Sequence, residues 1–500
     1  MEAIWKMGGR SEQAYPPLTT RTETDVVVIG AGMTGLMTAL RLADAGLRVV
    51  VLEALHVGEG STGGSTGNLY CTLAKGLAPV RRKWNDEVIR DIVESRAEAI
   101  DFIEATVSRF GIECDFQRRP LYRLVTDSDS PALQTLQAER EALQCAGLEV
   151  GAVEAGALPL TIHDGLRIDR QAQFNPLAFI QGLARGLVQQ GVTIHEASAV
   201  REVDSGQGRV ITDAGEVVAN HIVHATHTPK GINMLQSEMM PFREYGVSAR
   251  LKPGAHYPQG TFWVLDEFHS LRSYHHAGQD YLLVIGEKHK VGEEETDDRY
   301  PRRLRGYLEK HFDVETFEHS WSAQQYTAAD ELPYIGKWLT KDNTYLATGF
   351  GADGLTWGAL AGMILGDLIQ GRENRWHKRF DSRRFTPLKS AKKWAEENLS
   401  VAEHFVPGYL SVSKLDGLDE IAPGQGKVAS LDGEKVAIYR NEAGELSIHS
   451  AVCPHMKCLV HWNGIESSWD CSCHGSRFDV HGEVIEGPAY RPLPRRDGTS

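Results

Sequence analysis

Four cysteines and two histidines crowd into one short stretch near the C-terminal end of the sequence. They are Cys453, His455, Cys458, Cys471, Cys473 and His474. A first group has the spacing Cys-x-His, and after fifteen intervening residues a second group has the spacing Cys-x-x-His. Each group therefore offers one thiolate and one imidazole, and side chains of these two types are ligands for a metal centre.

Two kinds of metal centre suit this donor set. A Rieske [2Fe-2S] cluster takes two thiolates on one iron and two imidazoles on the other, whereas a zinc ion would take all four ligands in a tetrahedron. The two additional cysteines and the flanking residues 475–478, Gly-Ser-Arg-Phe, have no purpose in a small zinc site. The sequence therefore favours the iron-sulfur cluster, with zinc as the alternative.

A second chemical motif lies near the N-terminal end. Residues 30–35, Gly-Ala-Gly-Met-Thr-Gly, stand between an apolar strand-like run at 26–29 and a predicted helix at 36–45. Glu53 ends the next predicted strand, at 48–52. Such glycines permit a tight turn and close approach to a pyrophosphate, the helix N-terminus attracts that anion, and the acid accepts a hydrogen bond from a ribose hydroxyl. The pattern predicts a dinucleotide site in a βαβ unit.

Two further glycine-rich stretches bear on which dinucleotide is bound. Residues 58–68 combine glycines with hydroxyl side chains and could wrap phosphates with backbone donors. Residues 345–356 form a predicted strand, glycine turn and helix that also satisfy Gly-x-Gly-x-x-Gly, at 349–354. Taken alone, this late motif could be interpreted as a separate nicotinamide site.

Residues 25–371 resemble the D-amino-acid oxidase and glycine oxidase superfamily of FAD enzymes. The matching stretches are the first glycine motif with Glu53, the 58–68 loop, 224–226, 321–323 with 330–336, and 349–356. The resemblance assigns the late glycines to FAD and implies dissociable FAD. His227 departs from it, because the family usually has glycine there. Motifs and resemblance together predict these FAD-binding residues: Gly30, Ala31, Gly32, Met33, Thr34, Gly35, Glu53, Ser61, Thr62, Gly67, Val200, Ala225, Thr226, Gly349, Gly351, Gly354, Leu355 and Thr356.

Residues 415–493 resemble Rieske domains. The resemblance implies that Cys453 and Cys471 are the thiolate ligands, that His455 and His474 are the imidazole ligands, and that Cys458 and Cys473 form a disulfide between the two cluster loops. In high-potential relatives a serine and a tyrosine after the second histidine donate hydrogen bonds to the cluster sulfurs. Ser476 is retained here, but Phe478 occupies the tyrosine position and has no donor.

The elements that must position these motifs predict several domains. The expected fold is an α/β Rossmann-like FAD-binding domain with an inserted α+β substrate domain, followed by a small all-β Rieske domain. The expected boundaries are an N-terminal extension at 1–24, the FAD-binding domain at 25–371 with the substrate domain at about 80–330, a linker at 372–408 and the Rieske domain at 409–500. The basic run at 372–393 has nine Lys or Arg against two acids, which is typical of a solvated linker or docking strap.

The composition argues against several classes of binding partner and against secretion or membrane insertion. A net charge of −14 argues against binding nucleic acid or anionic lipid, because both depend on surplus cationic side chains. Neither a signal peptide nor an apolar run of about eighteen residues is present, so we expect a cytoplasmic protein without a membrane span.

The predicted function is an FAD-dependent dehydrogenase of a small amine or amino-acid-type substrate that passes electrons through the Rieske cluster to an external acceptor. The alternative is a reductase that carries electrons from NAD(P)H to an oxygenase or other partner. Arg272 is the candidate substrate-facing residue, because a guanidinium could clamp a carboxylate. A surface arginine in a β-hairpin is the alternative interpretation.

Overall fold

A computed structural model describes residues 1–8, 14–293, 296–384 and 418–496. Its N-terminal module contains two sheets with helices around them. The helices are α1 (Met33–Ala43), α2 (Ala78–Lys83), α3 (Asp86–Phe110), α4 (Ala132–Cys145), α5 (Pro176–Gln189), α6 (Arg299–His311), α7 (Gly354–Ile369) and α8 (His377–Phe380). The strands are β1 (Arg21–Ile29), β2 (Val49–Leu52), β3 (Asn68–Leu69), β4 (Gln117–Val125), β5 (Asp164–Gln173), β6 (Thr193–His195), β7 (Val200–Asp204), β8 (Arg209–Thr212), β9 (Glu216–His224), β10 (Met239–Leu251), β11 (Thr261–Val264), β12 (His269–His276), β13 (Gln279–Lys290), β14 (Val314–Ala328), β15 (Tyr334–Lys337) and β16 (Thr344–Thr348).

The first sheet is the predicted dinucleotide-binding layer. Its main strand order is β15-β16-β9-β1-β2-β6, and β1 runs parallel to both β2 and β9. Val26, Val27 and Val28 are fully buried in β1, as an apolar parallel strand covered on both faces requires. The predicted βαβ unit is confirmed, with α1 following the glycine turn directly.

Helix α7 packs closely on α1 because three glycines on its contact face have no side chains. A Cβ atom at Gly358, Gly362 or Gly366 would lie 3.0, 2.7 and 2.5 Å, respectively, from atoms of α1. The two helices that follow the two glycine motifs are therefore held side by side, and their N-termini belong to one region of the molecule.

The second sheet has the order β14-β10-β13-β12-β11-β4-β5-β3 and packs against α6. Its strands come from two separate stretches of chain, 68–173 and 239–328. Between them α5 and β6 to β9 return to the first sheet, where β6 pairs with β2 and β9 with β1. The expected substrate domain at about 80–330 is therefore not one continuous insertion, because the parallel pairing of β9 with β1 draws the middle of that range back to the dinucleotide-binding layer.

The C-terminal module is all-β and has two small sheets, ordered β17-β18-β19 and β20-β21-β22-β23. The all-β fold expected for this module is confirmed. The strands are β17 (Gly426–Leu431), β18 (Glu434–Arg440), β19 (Leu446–Ser450), β20 (Val460–Asn463), β21 (Ser468–Cys471), β22 (Arg477–Asp479) and β23 (Val484–Glu486).

The N-terminal extension and the first part of the predicted linker both pack against the FAD-binding module. Trp5, in the predicted extension, is buried and donates from its indole nitrogen to the Ser65 carbonyl at 2.8 Å. In the predicted linker, Arg379 pairs with Asp91 at 2.6 Å and Arg384 with Asp330 at 2.7 Å. Residues 372–384 are thus fastened to the FAD-binding module by ion pairs, whereas residues 385–408 of that linker lie outside the described part of the chain.

Candidate flavin cavity and cluster site

A cavity opens between the two sheets, and all three glycine-rich stretches contribute to it. Twelve of the predicted FAD-binding residues line it, so the fold brings together positions that are up to about three hundred residues apart. These twelve are Gly30, Gly32, Met33, Thr34, Glu53, Ser61, Thr62, Ala225, Thr226, Gly351, Gly354 and Leu355. The two glycine motifs therefore form parts of one site.

The first turn cannot accept side chains at its outer glycines. Gly30 has φ +105°, and a Cβ there would lie 2.5 Å from the Ala225 carbonyl oxygen. A Cβ at Gly35 would lie 1.9 Å from the Gly30 carbonyl oxygen. These close backbone approaches leave the N-terminus of α1 open toward the cavity, where its free amides favour an anion.

Glu53 is held rigidly at the edge of the cavity. Its carboxylate accepts hydrogen bonds from the backbone amides of Ala31 at 2.8 Å and Leu55 at 2.9 Å. Burial raises the pKa of Glu53, and these amide bonds oppose that rise. Each oxygen keeps a further lone pair, so the carboxylate can still accept a hydrogen bond from a bound hydroxyl group.

The hydroxyl-rich loop at 58–68 supports the first turn. Thr62 Oγ1 accepts a hydrogen bond from the Met33 amide at 3.0 Å, which supplies α1 with the side-chain cap that Gly32 lacks. Ser61 Oγ lies 2.9 Å from His227 Nδ1. His227 has φ +66°, the left-handed conformation that glycine adopts readily, so the strand-end loop keeps a glycine-like backbone while presenting an imidazole to the cavity.

Arg272 faces away from the cavity. Its side chain is buried and its Nη1 donates to the carbonyls of Thr66 at 3.0 Å and Gly67 at 2.8 Å. The guanidinium also lies 5.5 Å from the ring centre of Trp5. Burial lowers the pKa of Arg272 to about 9. The structure therefore contradicts both interpretations made from the sequence, because Arg272 is neither a substrate clamp nor a surface residue but supports the 58–68 loop from behind.

The other six predicted FAD-binding residues are not among the residues that line the cavity. They are Ala31, Gly35, Gly67, Val200, Gly349 and Thr356. Sequence reasoning also missed several lining residues from the sheets and from the C-terminal module, for which no local motif exists. They include Arg201, Lys230, Glu244, Gln325, Tyr326 and residues 484–487.

Three features of the cavity wall suit the binding of FAD. Two helix N-termini open into it, the glycine turns leave room that a Cβ would fill, and Glu53 stands at one end. Asp353, beside the start of α7, is held by the buried Arg96 at 3.1 Å and accepts from the Ala74 amide. Arg96, which interrupts the apolar stripe of α3, thus fixes the position of the late glycine turn.

The four predicted cluster ligands lie on two neighbouring loops. Cys453 and Cys471 are both buried, and each side chain shifts the pKa of the other. The rings of His455 and His474 have centres 5.0 Å apart. Burial lowers the pKa of His474 to about 4, which keeps this imidazole neutral as a metal ligand must be.

The surroundings of the two thiols suit thiolate ligands. The Cys471 side chain and the backbone amides of His455 and Met456 lower the pKa of Cys453. The Cys453 side chain and burial raise the pKa of Cys471, and the backbone amides of Cys473 and His474 oppose that rise. Amide donors of this kind stabilise negative charge on sulfur. The expected disulfide between Cys458 and Cys473 is confirmed. Two thiols and two imidazoles on disulfide-linked loops are the donor set of a Rieske [2Fe-2S] cluster.

The two positions after the second histidine are both buried. Ser476 Oγ accepts a hydrogen bond from the Ala489 amide at 3.1 Å, and the Ser476 hydroxyl lowers the pKa of the Cys453 thiol. Phe478 is fully buried and offers no donor.

A residue of the N-terminal module holds one of the cluster ligands. The Gln236 amide nitrogen donates to the carbonyls of Pro229 at 2.8 Å and Gly231 at 2.7 Å, which turns its oxygen toward His455. Gln236 Oε1 lies 3.0 Å from His455 Nε2. Because the amide oxygen can only accept, His455 Nε2 carries the proton and Nδ1 is the nitrogen left for iron.

The Rieske module also contacts the outer face and the edge of the second sheet. Arg243 on β10 pairs with Glu466 at 2.5 Å, and Gln324 on β14 donates to the Gly475 carbonyl at 2.9 Å. Burial raises the pKa of Glu466, but Arg243 and Arg477 together lower it to about 2. At the edge, the Tyr326 hydroxyl lies 3.3 Å from the His474 carbonyl oxygen.

Tyr326 links the two candidate sites. Its side chain lines the cavity, and its ring meets the edge of the His227 ring with centres 4.8 Å apart. Residues 484–487, from β23 and the segment after it, line the same cavity.

The described part of the chain contains no helix with the length and apolar character that a membrane span requires.

Comparisons with known proteins agree with both sites. A family model described as FAD dependent oxidoreductase (DAO) matches residues 25–368, and one described as Rieske [2Fe-2S] domain matches residues 412–496. The chain is 32% identical, over 99% of its length and 97% of the relative, to a Bacillus subtilis (strain 168) protein named as a Rieske 2Fe-2S iron-sulfur protein, YhfW. It is 25% identical to gamma-glutamylputrescine oxidoreductase of Escherichia coli (strain K12), over 73% of this chain and 89% of that protein.

Among solved structures, glycine oxidase from Geobacillus kaustophilus has the same fold as the N-terminal module. The TM-score is 0.60 at 19% identity, and the match covers 73% of this chain and all of that one. The fold class expected from the sequence, FAD and the [2Fe-2S] cluster are thereby confirmed. The chain belongs to the DAO family of FAD-dependent oxidoreductases and carries a C-terminal Rieske [2Fe-2S] domain.

Proposed function

We propose that this chain is an FAD-dependent dehydrogenase that oxidises a small amine or amino-acid-type substrate at a carbon next to nitrogen. The electrons pass from FAD to the Rieske cluster of the same chain and then to an external acceptor. The DAO family membership and the amine and amino-acid enzymes among its relatives support the substrate class.

One observation carries the proposed electron path: both modules line the same cavity. Residues 484–487 of the Rieske module form part of its wall together with the glycine motif of the FAD module. The Tyr326 side chain reaches from this wall to the backbone of the ligand His474. The contribution of the cluster domain to the wall of the flavin cavity supports direct electron transfer from the flavin, without a partner protein in between.

The chain's own residues would bind, orient and enclose the reactants. FAD, when bound, supplies the hydride acceptor for the C–H bond next to nitrogen. The N-terminus of α1 and the Glu53 carboxylate would hold the dinucleotide, and residues 484–487 would limit the access of water to it. Gln236 would hold His455 in the tautomer that leaves Nδ1 for iron.

The reductase alternative requires a separate nicotinamide site. The late glycine motif was its only candidate from the sequence, and this motif lines the same cavity as the first motif. The two motifs are therefore explained by one dinucleotide, and no observation on the described residues favours the reductase.

An anaerobic single-turnover experiment tests the proposal. The purified holoprotein is mixed with amines, amino acids and N-methylated amino acids, flavin reduction is followed by absorbance, and the reduced cluster is measured by electron paramagnetic resonance. We expect one group of compounds to bleach the flavin, followed by the appearance of the cluster signal. Bleaching by NADH with no response to any of these compounds would favour the reductase instead.

A cluster-free variant separates the two steps. His474→Ala should still be reduced at the flavin by the same substrate, but it should stop transferring electrons to artificial one-electron acceptors that the wild-type protein reduces through the cluster. If such acceptors are reduced equally fast without the cluster, the cluster is not on the electron path.

A further inference from the structure

The second sheet forms one end of the cavity. Its neighbouring strands β10, β13 and β14 contribute a set of lining residues. This set, called the sheet end below, comprises Glu244, Tyr245, Gly246, Ile285, Trp321, Ala323, Gln324, Gln325 and Tyr326. On β14, Ser322 and Gln324 also contact the Rieske module.

The cationic side chains of the cavity wall lie elsewhere. Among the described residues, the Lys and Arg side chains that line the cavity are those of Arg201 and Lys230. Lys230 interacts electrostatically with Glu53 and with Arg201, which locates both cations at the Glu53 end. Arg201 is moreover paired with Asp213 at 2.8 Å.

Two arginines close to the sheet end are bound to other groups and are not among the lining residues. Arg243 precedes Glu244 on β10 and pairs with Glu466 at 2.5 Å and with Glu486, a lining residue of the Rieske module, at 3.8 Å. Arg272 donates to backbone carbonyls behind the 58–68 loop. His227 lines the cavity, but burial lowers its pKa, so it is not a permanent cation. The described lining of the sheet end thus offers no guanidinium or ammonium group to a substrate carboxylate.

The sheet end instead contains one acid, Glu244. Its side chain belongs to the cavity lining, and the neighbouring Gln325 side chain favours its charged form. Burial raises the pKa of Glu244, and the exposed Lys288 only opposes this rise from outside the lining. The Lys288 ammonium lies 4.3 Å from the ring centre of Phe242. A carboxylate enclosed in this way is stabilised by a cation that enters the cavity.

We propose that the substrate is an amine that enters as an ammonium cation and has no carboxylate on the reacting carbon, and that Glu244 binds its nitrogen. This inference rests on the proposed function and narrows its substrate class. Glu244 also takes the ammonium proton: the N–H bond breaks, its electron pair stays on nitrogen, and an O–H bond forms on the carboxyl group. The neutral amine then has the lone pair that hydride loss from the neighbouring carbon requires.

The same arrangement disfavours α-amino acids. Their carboxylate, attached to the reacting carbon, would be desolvated at the sheet end beside Glu244 and without a cationic partner. Like charges at short range in a partly dry site repel strongly, and an unpaired buried carboxylate is costly. An amino acid would therefore lose more free energy on binding than the corresponding amine.

Matched pairs of compounds test the substrate class. The holoprotein is mixed anaerobically with pyrrolidine or proline, dimethylamine or sarcosine, ethylamine or alanine, and putrescine or ornithine, and the second-order rate constant of flavin reduction is measured for each. We expect the amine to exceed the amino acid by at least about tenfold in the reactive pairs, as one lost charge-assisted contact would produce. Faster reduction by the amino acids, or no reduction by either set, overturns the inference.

A charge-removing variant tests the role of the residue. Glu244→Gln should raise the apparent dissociation constant of the best amine about 10- to 100-fold, as expected from 1.5–3 kcal/mol for a hydrogen bond to a charged group. Glu318→Gln is the matched control, because Glu318 lies on the same sheet but outside the cavity lining and pairs with Arg250. Equal constants for the Glu244 variant and the wild-type protein contradict the assignment.

A substrate-free measurement keeps this inference distinct from the proposed function. Photoreduction of the flavin with light and deazaflavin needs no amine, and the cluster signal is then followed over time. If the cluster becomes reduced while amino acids outperform amines, the substrate inference fails and the electron path stands. If the cluster stays oxidised, the proposed electron path fails irrespective of the substrate.

Discussion

The flavin cavity and the cluster site are built in opposite ways. The four predicted cluster ligands come from a single stretch at 453–474, on two loops joined by the Cys458–Cys473 disulfide. The cavity takes its wall from residues spread between Gly30 and Gly487, on both sheets and in both modules. The comparison shows that a site can be recognised from sequence when its chemistry is local, whereas a site assembled from distant elements is recognised only in part.

The two sites are nevertheless not independent. The Rieske module contributes residues 484–487 to the cavity, and the FAD module contributes Gln236 to the ligand His455. Each site therefore includes a residue that belongs to the other module by sequence. The variants described next distinguish the contribution of a site's own module to cofactor binding and stability from the contribution of the other module.

The largest effect is expected for loss of a thiolate ligand. Cys471→Ser should remove the iron, because the cluster would lose one of its two predicted thiolate ligands, while FAD stays bound by the glycine turns of its own module. Iron and flavin content of the purified protein give both results. Cys145→Ser, at a free cysteine on α4, is the control and should change neither. Loss of FAD together with iron would show that the cavity cannot persist without an intact cluster module.

The next largest effect concerns the first glycine turn. Gly32→Val should weaken FAD binding by about 100-fold, since the new side chain enters the cavity and its Cβ would lie 3.0 Å from the Thr62 hydroxyl that caps α1. Glu53→Gln should weaken it only about tenfold, because the amide still has an oxygen acceptor. Titration of the apoprotein with FAD measures both constants. Similar, negligible effects would mean that this turn does not hold the flavin.

The contact between the modules should contribute measurably to stability. Glu466→Gln leaves Arg243 and Arg477 without their shared buried partner and should lower the free energy of unfolding by about 3–5 kcal/mol. Chemical denaturation, with both flavin and cluster absorbance as signals, measures the loss. Glu434→Gln, which removes a more exposed partner of Arg496, should cost less than about 1 kcal/mol. A comparable cost for the two variants would show that the interface ion pairs are not coupled.

The same carboxylate predicts an acid-sensitive contact. The pKa of Glu466 lies at about 2 in the folded chain against an ordinary value of 4.5, so its contribution is fully present above that ordinary value and is lost as the pH falls toward 2. The expected loss is on the order of 3 kcal/mol. Unfolding measured at several pH values in this window should show a weaker acid dependence for Glu466→Gln than for the wild-type protein. Parallel curves would assign the acid sensitivity to other groups.

The smallest effects concern the cluster potential, which in Rieske centres spans about −150 to +300 mV. Ser476→Ala removes a donor near the Cys453 sulfur and should lower the potential, and Phe478→Tyr should raise it if its hydroxyl reaches a sulfur. Gln236→Leu removes an acceptor from His455, makes the imidazole a weaker donor to iron and should raise the potential. Spectroelectrochemistry of the full-length variants measures all three. A potential unaffected by Gln236→Leu would mean that the cluster environment is complete within the Rieske module.

Much of the local structure followed from the sequence. The βαβ unit, the glycine turns and the all-β character of the C-terminal module were all predicted from the sequence. The spacing of two cysteines and two histidines predicted a metal site, and the resemblance to Rieske domains implied the individual ligands and the disulfide, of which the disulfide is confirmed. These features depend on interactions between residues that are close along the chain, so they can be predicted without knowledge of the fold.

What only the tertiary structure decided involves residues far apart along the chain. The return of β9 to the first sheet, the direction of Arg272 toward backbone carbonyls, and the contact of Gln236 with His455 depend on which distant segments pack together. Glu244 has no recognisable sequence signal, because its significance comes from facing a cavity whose cations lie at the other end. Side-chain direction, burial and charge balance are properties of the packed molecule, and for this reason the substrate end of the cavity could not be predicted from the order of residues.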